Sequence, residues 1–191
     1  MRIKYSLTTV ALLAATAMTT AAWAGPNYNH AGVSLGLTEI DDGNADTDGD
    51  GIRVDGSFSP APYLHVLGSF SSWDYDGSLE RTDFTIGAGG HAPISPTTDL
   101  VGELFYLDRE WESNGRDEDT DGLGLRAGVR TSAVPQLDLG GGLVHYELDD
   151  DDDTGIYGTA YFKFVPEIAA GAELELTDEQ ETLLLGGRYY F

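Results

Sequence analysis

Aspartate is the residue type that recurs at a chemically useful spacing in this chain. Asp46-x-Asp48-x-Asp50-Gly51 and Asp117-x-Asp119-x-Asp121-Gly122 set carboxylates on alternate positions and end on glycine. Asp149-x-Asp151-x-Asp153 repeats the spacing with Gly155 nearby, and Ser72-x-Asp74-x-Asp76-Gly77 is a partial copy. Carboxylate oxygens are ligands for hard cations, so the nine aspartates of the three full copies are candidate donors to Ca2+ or Mg2+. The other candidates for chemistry are His30, His65, His91 and His145. Of these only His145 lies near the acid-rich stretches, close to Glu147 and, through folding, to Ser113. Gly-x-Ser-x-Gly, His-Glu-x-x-His and phosphate-cradling patterns do not occur. A histidine among acids with no matched nucleophile is a structural or surface group, so an enzyme is not expected.

The alternate carboxylates followed by glycine resemble the first half of the EF-hand calcium loop, in which oxygens at positions one, three and five converge. The resemblance stops there. Counting twelve positions from Asp46 reaches Ser57, and from Asp117 it reaches Gly128, so the closing bidentate Glu is missing. Loose binding of Ca2+ or Mg2+ is the expectation, with bridging to anionic lipopolysaccharide as a related form. A plainer reading stands beside it: Asp-Gly supplies turn chemistry, and charge keeps the loops wet, unpaired and suited to salty water.

Composition narrows the setting. The chain has 33 acids against 10 bases and no cysteine. Residues 1–24 read as a cleaved signal peptide: Arg2 and Lys4 form a basic start, Leu7 to Met18 an apolar run, and Ala22-Trp23-Ala24 a small-x-small cleavage site. Without that segment the chain, 25–191, keeps 8 bases and a net charge of −25. Such a balance excludes nucleic acid as a partner, because phosphate contacts need a basic surface. The absence of cysteine excludes disulfides and thiol chemistry. Aromatics and regular apolar alternation to the last residue argue against disorder.

What must position the acids is a set of ten segments with period-two alternation. They run over about 28–38, 51–59, 63–73, 80–91, 100–110, 122–130, 136–147, 156–164, 169–176 and 183–191. In the first, Ala31, Val33, Leu35 and Leu37 oppose His30, Gly32, Ser34 and Gly36. In the last, Leu183, Leu185, Gly187, Tyr189 and Phe191 oppose Leu184, Gly186, Arg188 and Tyr190. Connections alternate between short turns containing proline and longer acidic loops. Strands of this length with one apolar and one polar face suit a tilted crossing of hydrocarbon around a polar lumen.

The terminal Phe191 with Tyr189 two residues before it resembles the C-terminal signature of bacterial outer-membrane β-barrels, which their assembly machinery reads. In broad plan the chain is similar to the OmpA-transmembrane-domain, OmpX and OmpW type. The fold expected is all-β: a single up-and-down antiparallel transmembrane β-barrel of ten strands, with eight as the alternative count. The resemblance implies residence in the outer membrane among lipid and lipopolysaccharide.

The inward face gathers Arg53, Arg126, Arg130, Lys163 and Arg188 against Asp55, Asp83, Glu103, Asp138, Glu173 and Glu175, a charge-paired plug rather than a wide pore. Phe58, Tyr63, Phe164, Tyr189 and Phe191 form a periplasmic girdle, with Phe70, Tyr106 and Trp111 towards the outer one. The function expected is structural or surface-interacting, with a narrow channel as the alternative.

Overall fold

A computed structural model describes residues 25–41, 46–77, 79–113, 116–148 and 151–191. The signal peptide read over residues 1–24 lies outside them. The chain forms ten strands: β1 (His30–Asp41), β2 (Asp46–Ala61), β3 (Leu64–Tyr75), β4 (Leu79–Ser95), β5 (Thr98–Ser113), β6 (Arg116–Val134), β7 (Leu137–Leu148), β8 (Asp151–Val165), β9 (Ile168–Thr177) and β10 (Gln180–Tyr190). Each pairs antiparallel with its sequence neighbours, and β1 closes onto β10 from His30↔Tyr190 to Ile40↔Gln180. The result is a closed barrel of ten strands, as the alternation predicts. Closure leaves no edge, so every strand's backbone can pair without water, the condition for crossing hydrocarbon.

The exterior is apolar where the alternation says so. Val33, Leu35, Leu37, Ile52, Val54, Phe70, Ile86, Leu104, Leu125, Leu143, Ile156 and Leu185 all point out and are exposed. At the end bearing the chain termini, Phe58, Tyr63, Phe164, Tyr189 and Phe191 are exposed together. An apolar band edged by aromatics, around a polar interior, is the surface of a protein dissolved in a bilayer. Trp111 corrects the expected outer girdle. It points inward and packs at 5.6 Å from the Tyr75 ring, because it shares the parity of inward-facing Arg109.

The four turns at the terminus-bearing end are each two residues long and begin on proline: Pro62, Pro96, Pro135 and Pro166. Proline presets the first turn position and ends the ladder. Each turn is joined by a register shift, between Phe58 and Ala61, Pro93 and Ser95, Thr131 and Val134, and Lys163 and Val165. Tyr63 completes its turn at φ 69°, a strained left-handed position for a residue with a side chain.

The opposite end differs from expectation. The long acidic loops are mostly strand. β2 already runs from Asp46 and β6 from Arg116, so Asp48, Asp50, Asp117, Asp119 and Asp121 are ladder residues. The connections described there are short, and the strands overhang the apolar band unequally: β6 has 19 residues, β9 has 10 and β10 has 11. The reason is that these acids keep the outward phase of Ile52 and Val54 or of Leu123 and Leu125. Above the lipid that face meets water, so carboxylates satisfy the same alternation.

Candidate functional site

The interior is built in three levels of ion pairs. At the proline-turn end, Asp138 accepts two hydrogen bonds from Arg130, at 3.0 and 2.7 Å, with the Tyr190 hydroxyl at 3.3 Å and Lys163 at 3.9 Å. His30 lies 3.2 Å from Asp55, and His65 lies 2.9 Å from Glu103.

Mid-barrel, Glu173 on β9 accepts from Arg53 across the lumen on β2, from Arg188 on β10, and from the Tyr161 hydroxyl at 2.7 Å. Glu175 accepts from Arg126 at 2.5 Å and from Tyr146 at 2.6 Å. These carboxylates therefore tie β9 to β2 on one side and to β6 on the other.

Towards the acidic end, Asp83 accepts from Arg109 at 2.8 Å and from Ser71 at 3.2 Å, with Arg81 Nε 3.1 Å away. The Arg81 guanidinium sits 5.5, 5.4 and 5.2 Å from the rings of Trp73, Tyr75 and Trp111, and donates to Gln180 at 2.9 Å. Trp73 lies flat on the wall. A Cβ on Gly36 or Gly51 would stand 2.5–2.6 Å from its indole, so glycine is required at both positions.

All eleven inward charges named from the alternation are found in this interior. Arg81, Arg109, Asp99 and Asp153 join them, giving seven bases against eight acids among the described residues. The interior is therefore close to neutral, and in a confined space pairing is what makes so many charges tolerable. It also sequesters seven of the eight bases of residues 25–191. Almost all of the excess negative charge lies outside the lumen.

That excess forms a rim. Across neighbouring strands, Asp108 stands opposite Asp121, Glu110 opposite Asp119, and Glu112 opposite Asp117 and Glu80. Asp50 is opposite Asp74, Asp74 opposite Glu80, and Glu39 opposite both Asp48 and Glu181. Asp48, Asp50, Asp117, Asp119 and Asp121 are all exposed on this outer face. Asp153 departs from the set: it is buried and accepts from the Asp178 backbone N–H at 2.9 Å. Asp149 and the side chains of Asp46 and Asp151 lie outside the described residues.

The strand form also corrects the EF-hand likeness. Alternate carboxylates on a strand are spaced about 7 Å apart along it, whereas cross-strand partners are about 5 Å apart, so the pairs run between strands rather than around a loop. Among the described residues no three His, Asp or Glu side chains gather in metal-binding geometry. His145 points outward and bonds Thr154 at 2.8 Å, apart from the inward charges.

One interior residue escaped the sequence reading. Tyr28 precedes β1, yet its side chain turns into the barrel and is buried. Its ring stacks on His91 at 3.9 Å and His65 at 4.9 Å, lies 4.8 Å from the Arg130 guanidinium, and its hydroxyl donates to Asp99 at 3.0 Å. Burial raises the pKa of that hydroxyl, against the pull of Arg130 and with the help of Asp99, so it stays a protonated donor.

No family model and no curated protein matches the chain. Solved structures are similar in fold. Neisserial surface protein A is 14% identical, covering 85% of this chain and 96% of its own, at a TM-score of 0.44. Ail, the attachment invasion locus protein of Yersinia pestis, is 16% identical over 85% and 99% at 0.45, and the KdgM porin 11% over 84% and 99% at 0.46. At these identities the likeness is one of fold alone. The chain's own features, a closed ten-strand barrel with an apolar exterior, aromatic girdle and paired polar lumen, make it a small outer-membrane β-barrel.

Proposed function

We propose that this barrel is a non-enzymatic surface protein whose acidic rim binds divalent cations weakly and, through them, the phosphates of lipopolysaccharide. The observation that supports it is the stacking of carboxylate on carboxylate in three consecutive cross-strand pairs, Asp108/Asp121, Glu110/Asp119 and Glu112/Asp117. Like charges directly opposite each other destabilise a sheet. A shared Ca2+ or Mg2+ relieves that repulsion, and a hard cation between two carboxylates keeps further positions for phosphate oxygen. Asp48 and Asp50, exposed on β2, extend the same chemistry, and the C-terminal strand ending Tyr189-Tyr190-Phe191 is the segment offered to the assembly machinery. Adding Mg2+ to the detergent-solubilised barrel should give saturable stabilisation in a thermal melt. A response no larger than that to NaCl of equal ionic strength would end the proposal and leave only a salt-suited surface.

A narrow channel is the second reading, favoured by a luminal cavity of about 320 Å³. It touches exposed Glu179 at the acidic end and continues down to Tyr28 and Arg130. Beside it the Nε atoms of Arg53, Arg126 and Arg188 are buried without a hydrogen-bond acceptor among the described residues. Such a space is polar and roomy enough for water.

A further inference from the structure

We propose that Tyr28 is a removable stopper that closes the lumen at its periplasmic end, an inference resting on the channel reading above. Short turns mark the periplasmic end of outer-membrane barrels, and here that end carries the proline turns and Tyr28. The cavity passes beside the mid-barrel pairs Arg53–Glu173 and Arg126–Glu175, both of which it touches, and ends on Tyr28 and Arg130. The lattice of ion pairs therefore narrows the lumen without ending it.

At the periplasmic level the two halves of the barrel are sealed by different means. From β6 to β10 the seal is carried by the strands themselves: Arg130, Asp138 and Tyr190 joined by hydrogen bonds, the Lys163 ammonium 4.7 Å from the Tyr190 ring, and buried Tyr161 clustered with Tyr190. From β3 to β5 the wall contributes His65, His91 and Asp99, and the space between them is filled by a ring that belongs to no strand. Tyr28 is that ring, with one edge on Asp99 and its faces against imidazoles and Arg130.

The segment that delivers it is lightly tied. Asn29 Oδ1 accepts from the Ser59 backbone N–H at 2.9 Å, the Asn29 carbonyl accepts from Phe191 N–H at 3.2 Å, and Asn27 donates to the Phe191 carbonyl at 3.5 Å. Withdrawing Tyr28 breaks these bonds and the stack but no strand ladder. Asp99 gives up its bond to the Tyr28 hydroxyl, but His65 keeps Glu103, Arg130 keeps Asp138 and every strand pairing stays, so the barrel can open at this level and still hold its shape.

The test is planar-bilayer conductance of the refolded full chain, with heat-modifiable gel migration confirming the fold of each variant. Wild type should be silent, Tyr28→Ala should show discrete steps, and Tyr28→Phe should stay largely closed because the stack survives. p-Cresol, the tyrosine side chain as a free molecule, should suppress the steps of Tyr28→Ala when added from the periplasmic side. A Glu173→Ala/Arg53→Ala variant, which loosens the mid-barrel lattice with Tyr28 in place, separates the two ideas. Steps in that variant with silence in Tyr28→Ala would overturn the stopper and place the block at the ion pairs. Wild-type conductance equal to Tyr28→Ala would overturn the stopper and keep the channel. Silence from all three folded proteins would sink the channel reading with it.

Discussion

The lumen and the rim are made of the same strands and many of the same residue types, yet they treat a carboxylate in opposite ways. Inside, Glu173 is met by two guanidinium groups and a phenol. Outside, Glu110 is met by Asp119. The difference lies in where the bases went: Arg53, Arg81, Arg109, Arg126, Arg130, Lys163 and Arg188 all turn inward. An ion in a confined interior must be neutralised locally, because water cannot do it. A charge at the rim is hydrated and screened, so repulsion there costs little and the acids are available to solutes.

The comparison is broken most severely from the inside. Glu173→Ala takes away the carboxylate that accepts from both Arg53 and Arg188, leaving them the longer approach to Asp55 at 3.8 and 3.6 Å. Removing one member of a buried pair costs roughly 3–5 kcal/mol. Urea unfolding in lipid vesicles should show that loss, and rim substitutions should not reproduce it. Next in size is a charge placed on the lipid face. Leu35→Arg, at an exposed position of the apolar band, should cost about 2–4 kcal/mol by the same measurement if it sits near the midplane. The smallest effect has the opposite sign. Glu110→Gln with Asp119→Asn removes a like-charge pair and should stabilise the barrel in the absence of divalent ions by roughly 0.2–1 kcal/mol. The same double substitution should shrink the stabilisation by Mg2+, which sharpens the contrast by showing that rim repulsion is what the cation relieves.

Much of this was legible from parity alone. Ten strands, the two faces of β1 and β10, and the inward placement of eleven charges follow from counting every second residue. Parity also carried information that composition hid. Asp46, Asp48 and Asp50 are in phase with Ile52 and Val54, so the strand was continuous, but Asp and Gly read as turn residues. Trp111 is in phase with Arg109, and its aromatic character pointed to a girdle when its number pointed inside. Arg81 is in phase with Asp83 but lies at the margin of its predicted strand. Tyr28 has the inward parity of His30; what alternation cannot say is that the strand starts after it, which frees the ring to cross the lumen. The partner choices of Glu173 and Glu175, across two or three strands, depend on barrel curvature and leave no trace in local pattern.

The unequal overhang of the strands has a spatial outcome of its own. β6 continues seven residues beyond Leu123, whereas β10 continues three beyond Leu183. At about 3.4 Å per residue, that is a difference of roughly 14 Å along the strand. The mouth is thus cut on a slant, like a quill, with a low sill at β9 and β10 where Glu179 meets the cavity. The carboxylate pairs of β5 and β6 stand on the tall side of that cut, while the low side at β10 carries Glu181 opposite Glu39.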